Sequence, residues 1–217
     1  MALKAVIFDF GGVFTTSPVS NFGVYERARG LPERFISGVI RSNLDGGAFS
    51  RFERAELTAE EFDEAFAAET RAAGHEVRGG ELAKIMKLEF RPPMIEAHKR
   101  ICEAGLKTGC ITNNMPSSSA KDWARDGAER NWAAEIMSRF DHVIESSKAG
   151  VSKPDPRIYE MMLETLGIAP GEAIYVDDLG VNLKPAVAMG MDVVKVPFEG
   201  YEIAIEELAQ KTGLILT

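Results

Sequence analysis

Ala5-Val6-Ile7-Phe8-Asp9-Phe10-Gly11-Gly12 is four apolar residues followed by a carboxylate, an aromatic residue and two glycines. The apolar run is too short for a helix and lacks strict polar alternation, the pattern of a strand covered on both faces of a parallel sheet. Gly11 and Gly12 let the chain turn sharply where it ends. Four more runs of this kind follow at Thr108–Ile111, His142–Ile144, Ala173–Val176 and Asp192–Val196. Helical stretches such as Met94–Ala104, Pro156–Leu166 and Leu183–Met189 lie between them. Strands alternating with helices predict an α/β fold, a doubly wound Rossmann-like parallel sheet.

The interval from Thr16 to Leu88 breaks that alternation, with helical patterns and no convincing strand. Thr58 with Glu61 forms a capping box ahead of the Phe62, Ala65, Phe66 stripe, so a helix starts there. Glycines at 30, 46, 47, 74, 79 and 80 mark turns between helices. The expected organisation is a core of residues 1–15 and 89–217 and a helical cap subdomain of residues 16–88.

The 217 residues are enough for this core to fold without assembly, leaving monomer or homodimer open. The net charge of −8, with no Lys/Arg block, argues against nucleic acid and against an anionic membrane surface as partners. Cys102 and Cys110, expected on a helix and a strand, make neither a disulfide framework nor a thiolate metal site, and a cytoplasmic location fits. The Met1–Phe8 stretch is too short and lacks the cleavage pattern for a signal peptide, and no segment has the apolar length of a membrane span.

Polar residues collect at one place in the pattern. The first strand ends in Asp9, the second in Thr112, Asn113 and Asn114, and the fourth in Asp177 and Asp178; Lys153 lies in the loop after the third. In an open α/β sheet the carboxyl ends of the strands form one crevice, so three carboxylates and a lysine are expected to share a site. Carboxylates that close raise one another's pKa unless a cation intervenes, which points to a hard divalent ion, Mg²⁺ first. Mg²⁺ keeps positions for water and phosphate, so the implied partner is a small-molecule phosphate ester. Thr112 and the N–H groups that follow it can hold phosphate oxygens, and Lys153 can neutralise developing charge.

Val6-Ile-Phe-Asp-Phe-Gly-Gly-Val13, Ile111-Thr-Asn-Asn114, Lys153-Pro-Asp-Pro-Arg-Ile-Tyr159 and Val176-Asp-Asp-Leu-Gly-Val-Asn182 resemble the four motifs of the haloacid dehalogenase superfamily, in order, over nearly the whole chain. Within it, Asp177–Pro185 is similar to the phosphatase-like domain of soluble epoxide hydrolases and to the domain fused to an acyl-CoA dehydrogenase. The resemblance implies a hydrolase with a helical cap at residues 16–88. It further implies Asp9 as nucleophile and Mg²⁺ held by Asp9, Asp178 and the Gly11 carbonyl. Thr112, Asn113 and Lys153 would bind the phosphoryl group, Asp177 would orient Lys153 or a metal-bound water, and Asn182 would support that network.

Family phosphatases usually carry a second Asp two positions after the nucleophile, and here Gly11 stands there. Three functions follow: a phosphatase for substrates with good leaving groups, a 2-haloacid dehalogenase using Asp9 on carbon without metal, or a non-catalytic module that binds a phosphate ligand. Phe14, Thr16, Arg41, Asn43 and Phe49 are candidates for substrate selection. His75, His98 and His142 show no ligand spacing, and Met161, Met162, Met189 and Met191 read as core filler. Trp123 and Trp132 close the crevice, mark a partner surface or simply pack.

Overall fold

The computed structural model describes residues 2–43, 46–53, 56–85, 89–113 and 127–217. In chain order the elements are β1 (Ala5–Phe8), α1 (Pro18–Arg29), α2 (Phe35–Ser42), α3 (Ala48–Glu53), α4 (Ala59–Ala72), α5 (Gly79–Ile85) and α6 (Pro92–Glu103). After these come β2 (Lys107–Thr112), α7 (Gly127–Ser138), β3 (His142–Glu145), α8 (Ser146–Ala149), α9 (Pro156–Leu166), β4 (Ala173–Asp177), α10 (Gly180–Met189), β5 (Asp192–Lys195) and α11 (Glu202–Thr212). Two compact units divide them: described residues 2–17, 89–113 and 127–217 form one, and 18–43, 46–53 and 56–85 the other.

The first unit is built on a five-stranded sheet in the order β3-β2-β1-β4-β5, every pairing parallel. Successive side chains of a strand point to opposite faces, and both faces are covered here. Val6 and Phe8 of β1 and Val176 of β4 pack with Met94, Ala97 and Ile101 of α6 and Ala204 and Leu208 of α11. Ala5 and Ile7 pack with Tyr175 of β4, Ile158, Tyr159 and Met162 of α9 and Leu183 and Ala186 of α10. This explains why β1 is apolar throughout instead of alternating. Gly109 of β2 leaves room for Met162 in the same packing, since a β-carbon there would lie 2.6 Å from Sδ and the methionine would have to shift.

Pro92 and Pro156 start α6 and α9 from the first turn, where a missing N–H costs nothing, and Asp155 caps α9 by accepting from Arg157 N at 3.0 Å. Cys102 and Cys110 are both free thiols. Met162 and Met191 are buried as expected, whereas Met161 is exposed, since its helix turns that position away from the sheet. Asn114 and Trp123 lie outside the described residues, as does the side chain of Trp132.

The second unit has its own core, with Phe22, Ile36, Val39, Phe62, Phe66, Val77 and Leu82 buried together. Its α4 begins with the Thr58–Glu61 capping box expected from sequence. Glu26, 3% exposed, accepts from the backbone N–H groups of Arg34 and Ile36 at 2.9 and 2.8 Å, satisfying donors at the start of α2. Among the described residues, no helix is long and apolar enough to cross a membrane.

Candidate active site

Three strand ends of the first unit assemble the site. Asp9 extends the β1–β4 ladder by one residue, its N–H donating to Val176 O at 2.8 Å, and so lands beside the end of β4. Asp177 is the last residue of β4, on the same face as Tyr175 two residues earlier. Thr112 ends β2 and is buried. Lys153 arrives from the loop between α8 and α9. That loop is fastened by Asn113, whose amide donates to Lys153 O at 3.0 Å and accepts from Lys153 N at 2.9 Å.

The Lys153 ammonium, on a side chain 1% exposed, sits 2.7 Å from Asp9 Oδ1 and 3.0 Å from Asp177 Oδ2. Burial alone would lower its pKa, but the two carboxylates overcome that and raise it, so the cation persists. Asp9 is pushed up to about 7, first by burial, with Asp177 and Asp178 adding to the shift and Lys153 opposing it. Its Oδ1 also accepts from the Phe10 N–H at 2.6 Å, leaving Oδ2 for other partners among the described residues.

Asp177 and Asp178 are both buried, but their surroundings differ. Asp177 Oδ2 accepts from Lys153 and, at 2.6 Å, from the Tyr175 hydroxyl; Oδ1 accepts from Leu179 N at 2.8 Å. The Asn182 amide reaches both oxygens at 3.1 Å. Five donor contacts thus occupy the two oxygens of Asp177. Asp178 hydrogen-bonds with Ser17, yet its Oδ2 is buried with no partner among the described residues. Burial pushes Asp178 up to about 6, with Asp177 adding and Ser17 and Lys153 opposing.

A buried carboxylate oxygen without a donor is costly. Here it lies against Gly12, whose φ of 78° is left-handed and where a β-carbon would overlap the Asp178 carboxylate. One oxygen each from Asp9, Asp177 and Asp178 come within 4.8 Å of one another. Oxygen ligands of this charge and spacing suit Mg²⁺, and since Asp177 is saturated, Asp9 and Asp178 are the pair with capacity to bind it. The donor set therefore fits the ion.

All the site residues expected from sequence lie in the first unit: Asp9, Gly11, Thr112, Asn113, Lys153, Asp177, Asp178 and Asn182. Asn113 has its carboxamide committed to the Lys153 main chain, through its oxygen and its amide nitrogen. Phe14 is not a selection residue. It is 0% exposed and packs on Phe8, Phe10, His98 and Phe140, because the turn after β1 brings it back into the core. Thr16 hydrogen-bonds with Glu89 through its backbone N–H and its hydroxyl, pairing the two connecting segments.

Three residues had not been singled out. Tyr175 was detectable, since strand residues two apart share a face; Ser17 carried no such signal. The third, Arg91, is buried, donates to Gly12 O at 2.6 Å and lies 4.6 Å from the centre of the Tyr201 ring. Burial lowers its pKa and Asp178 opposes the shift.

The model of a haloacid dehalogenase-like hydrolase matches residues 3–190. The chain belongs to the haloacid dehalogenase-like hydrolase family. Among curated relatives of this hydrolase, acyl-CoA dehydrogenase family member 10 of Mus musculus is 33% identical over 98% of the chain and 19% of that protein. Bifunctional epoxide hydrolase 2 of Sus scrofa is 29% identical over 100% of the chain and 40% of that protein. The chain thus spans well under half the length of either. A phosphatase of Mycobacterium tuberculosis is 29% identical over 88% of the chain and 86% of its own length.

Among solved structures, a dehalogenase with an intermediate complex aligns with a TM-score of 0.62 at 20% identity, covering 99% of both chains, which supports the fold. The L-2-haloacid dehalogenase of Xanthobacter autotrophicus aligns with a TM-score of 0.53 at 26% identity over 99% of the chain and 85% of its own.

Proposed function

We propose that this hydrolase is a Mg²⁺-dependent phosphatase of small phosphate monoesters that works through an aspartyl-phosphate on Asp9. The observation that carries the proposal is the carboxylate trio around one buried ammonium, in which Asp177 is saturated with donors while Asp178 Oδ2 has none. Similarity to the mycobacterial phosphatase over most of both chains supports the substrate class. Asp9, Asp178 and the Gly11 carbonyl would hold Mg²⁺, which supplies counter-charge to the carboxylates and to the phosphate ester.

Asp9 Oδ2 attacks phosphorus while Oδ1 stays on Lys153; an O–P bond to Asp9 forms and the ester P–O bond breaks, its electron pair leaving with the alcohol or acid. Water then attacks the same phosphorus and releases Asp9 and inorganic phosphate. Lys153, Thr112 and the Asn113 N–H offer hydrogen bonds to the phosphoryl oxygens. The unit of residues 18–85 is assigned as the cap that selects the leaving group, for which Arg41, Asn43 and Phe49 remain candidates. Gly11 brings no proton donor to the leaving group, and a β-carbon there would meet nothing within 4 Å. A positioned acid is worth about 10²- to 10⁴-fold in rate. Substrates whose leaving group departs unprotonated, such as acyl or anomeric phosphates, are therefore favoured.

Turnover of p-nitrophenyl phosphate with Mg²⁺, abolished by a chelator and by Asp9→Asn, is the expected result, with rates rising steeply as the leaving group becomes more acidic. No turnover on phosphorylated sugars, acyl phosphates, lipid phosphates or nucleotides would overturn the proposal. A second function is favoured by the similarity to the Xanthobacter enzyme, namely attack of Asp9 on the carbon of a 2-haloacid. Halide release in the presence of chelator would replace the first with the second.

A further inference from the structure

We infer that Tyr175 is a positioning residue of this site, holding Asp177 so that Lys153 stays aimed at Asp9; the inference rests on Asp9 being the nucleophile. Tyr175 is 0% exposed, and its ring meets Tyr159 edge-on with centroids 5.1 Å apart. Its hydroxyl donates at 2.6 Å to Asp177 Oδ2, the same oxygen that accepts the Lys153 ammonium at 3.0 Å. That ammonium in turn holds Asp9 Oδ1 at 2.7 Å. Tyr175, Asp177, Lys153 and Asp9 thus form one continuous chain of contacts running from the core to the nucleophile.

A phenol in such a place could in principle be an acid, a base or a fixed donor. Its hydroxyl hydrogen is committed to Asp177 Oδ2, and burial, with Asp177 and Asp9 nearby, raises its pKa and favours the neutral donor. It does not touch Asp9, so it is not a group that meets the reacting atoms. What remains is geometry. Without the hydroxyl, Asp177 keeps Leu179 N, Asn182 and Lys153 as donors. It loses the shortest contact on Oδ2, where Asn182 remains at 3.1 Å, and the ammonium between Oδ2 and Asp9 is free to follow the carboxylate.

Tyr175→Phe keeps the ring and its packing, so the protein is expected to fold. Hydrogen bonds to charged groups are among the stronger ones, and loss of this one is expected to lower kcat about tenfold while KM stays within about twofold. In the crystal structure of the variant, Lys153 Nζ should move beyond hydrogen-bonding distance of Asp9 Oδ1. Tyr159→Phe removes a hydroxyl from the same ring stack, one that donates to Asn182 O and not to Asp177, and should lower kcat less.

Equal falls in the two variants, or an unchanged kcat with the Lys153–Asp9 contact intact, would overturn the inference and show Tyr175 to be packing alone. Failure of the phosphatase proposal is seen separately, as absent turnover in the wild type or turnover retained by Asp9→Asn. In that event the crystal structure of Tyr175→Phe decides the inference by itself: a broken Lys153–Asp9 contact supports it and an intact one overturns it.

Discussion

Asp177 and Asp178 are consecutive, the same residue type and both buried, and they end in opposite situations. The Asp177 pocket, on the face of the sheet that carries Tyr159, Tyr175 and Asn182, supplies a donor to each lone pair of its carboxylate. The Asp178 pocket, between Ser17 and the Gly12 turn, leaves one oxygen without a donor among the described residues. The difference teaches that a run of two acids at a strand end need not be two ligands. One carboxylate is tied into the protein around the site, and the other keeps an oxygen without a donor among the described residues.

The largest effect that would break this comparison concerns Asp177. Asp177→Ala leaves Lys153 with one carboxylate instead of two and strands the Tyr175 hydroxyl and the Asn182 amide. Removing one partner of a buried ion pair costs about 3–5 kcal/mol, so a fall in Tm of roughly 10 °C is expected by calorimetry. Asp178→Asn should lower Tm far less. Equal losses in the two variants would mean that the donor count has been misjudged.

Next in size is the response to the metal. Asp9 and Asp178 have folded pKa values raised above the ordinary carboxylate value, to about 7 and about 6. A group raised on folding contributes stability that is present below its unfolded pKa and is lost as pH rises through the folded value. The metal-free protein should therefore lose stability from these groups between about pH 4 and pH 7. Mg²⁺ restores it by binding the ionised pair, by about 2.7 kcal/mol at a hundredfold excess over Kd. Scanning fluorimetry should show a larger Mg²⁺-induced rise in Tm at pH 8 than at pH 5.5, abolished in Asp178→Asn. A rise that survives that substitution would place the ion elsewhere.

The adjacent glycines sharpen the comparison further. Gly12→Ala forces a side chain into a left-handed conformation, worth about 1–2 kcal/mol, and into the Asp178 carboxylate. It should lose about 2 kcal/mol in denaturant unfolding together with its Mg²⁺ response. Gly11→Ala meets nothing and should be neutral to within about 0.5 kcal/mol.

The smallest effect at neutral pH is that of His98, buried against Phe8, Phe14 and Phe140 with its Nδ1 unpartnered. Burial, aided by Arg139, depresses its pKa to about 4. A depressed histidine contributes stability above its unfolded pKa of about 6.5 that is lost as pH falls toward the folded value. This slope is opposite in sign to that of Asp9 and Asp178. His98→Gln should remove it between about pH 6.5 and pH 4 and leave the carboxylate contribution unmasked. An unchanged acid limb would show that His98 does not titrate with unfolding.

Local pattern decided a great deal. The apolar run at Ala5–Phe8, the Thr58–Glu61 cap and the polar residues closing three strands required only neighbouring residues and the periodicity of strands and helices. Because a parallel sheet sends all its strand ends to one edge, the grouping of Asp9, Thr112, Lys153, Asp177 and Asp178 is legible in the pattern of strands alone. Phe14 defeated the same logic, since the direction of the turn after Gly12 sends it inward and no pattern of nearby residues shows this.

What only the tertiary structure decided was the division of labour at that edge. The order β3-β2-β1-β4-β5, the Asn113 clamp on the Lys153 main chain, and the Ser17 and Arg91 contacts with the Asp178 and Gly12 side of the site all join residues far apart in sequence. Whether a carboxylate is saturated or bare depends on donors that other elements deliver to within 3 Å, and the alphabet of the chain, in which Asp177 and Asp178 are the same letter, cannot express it.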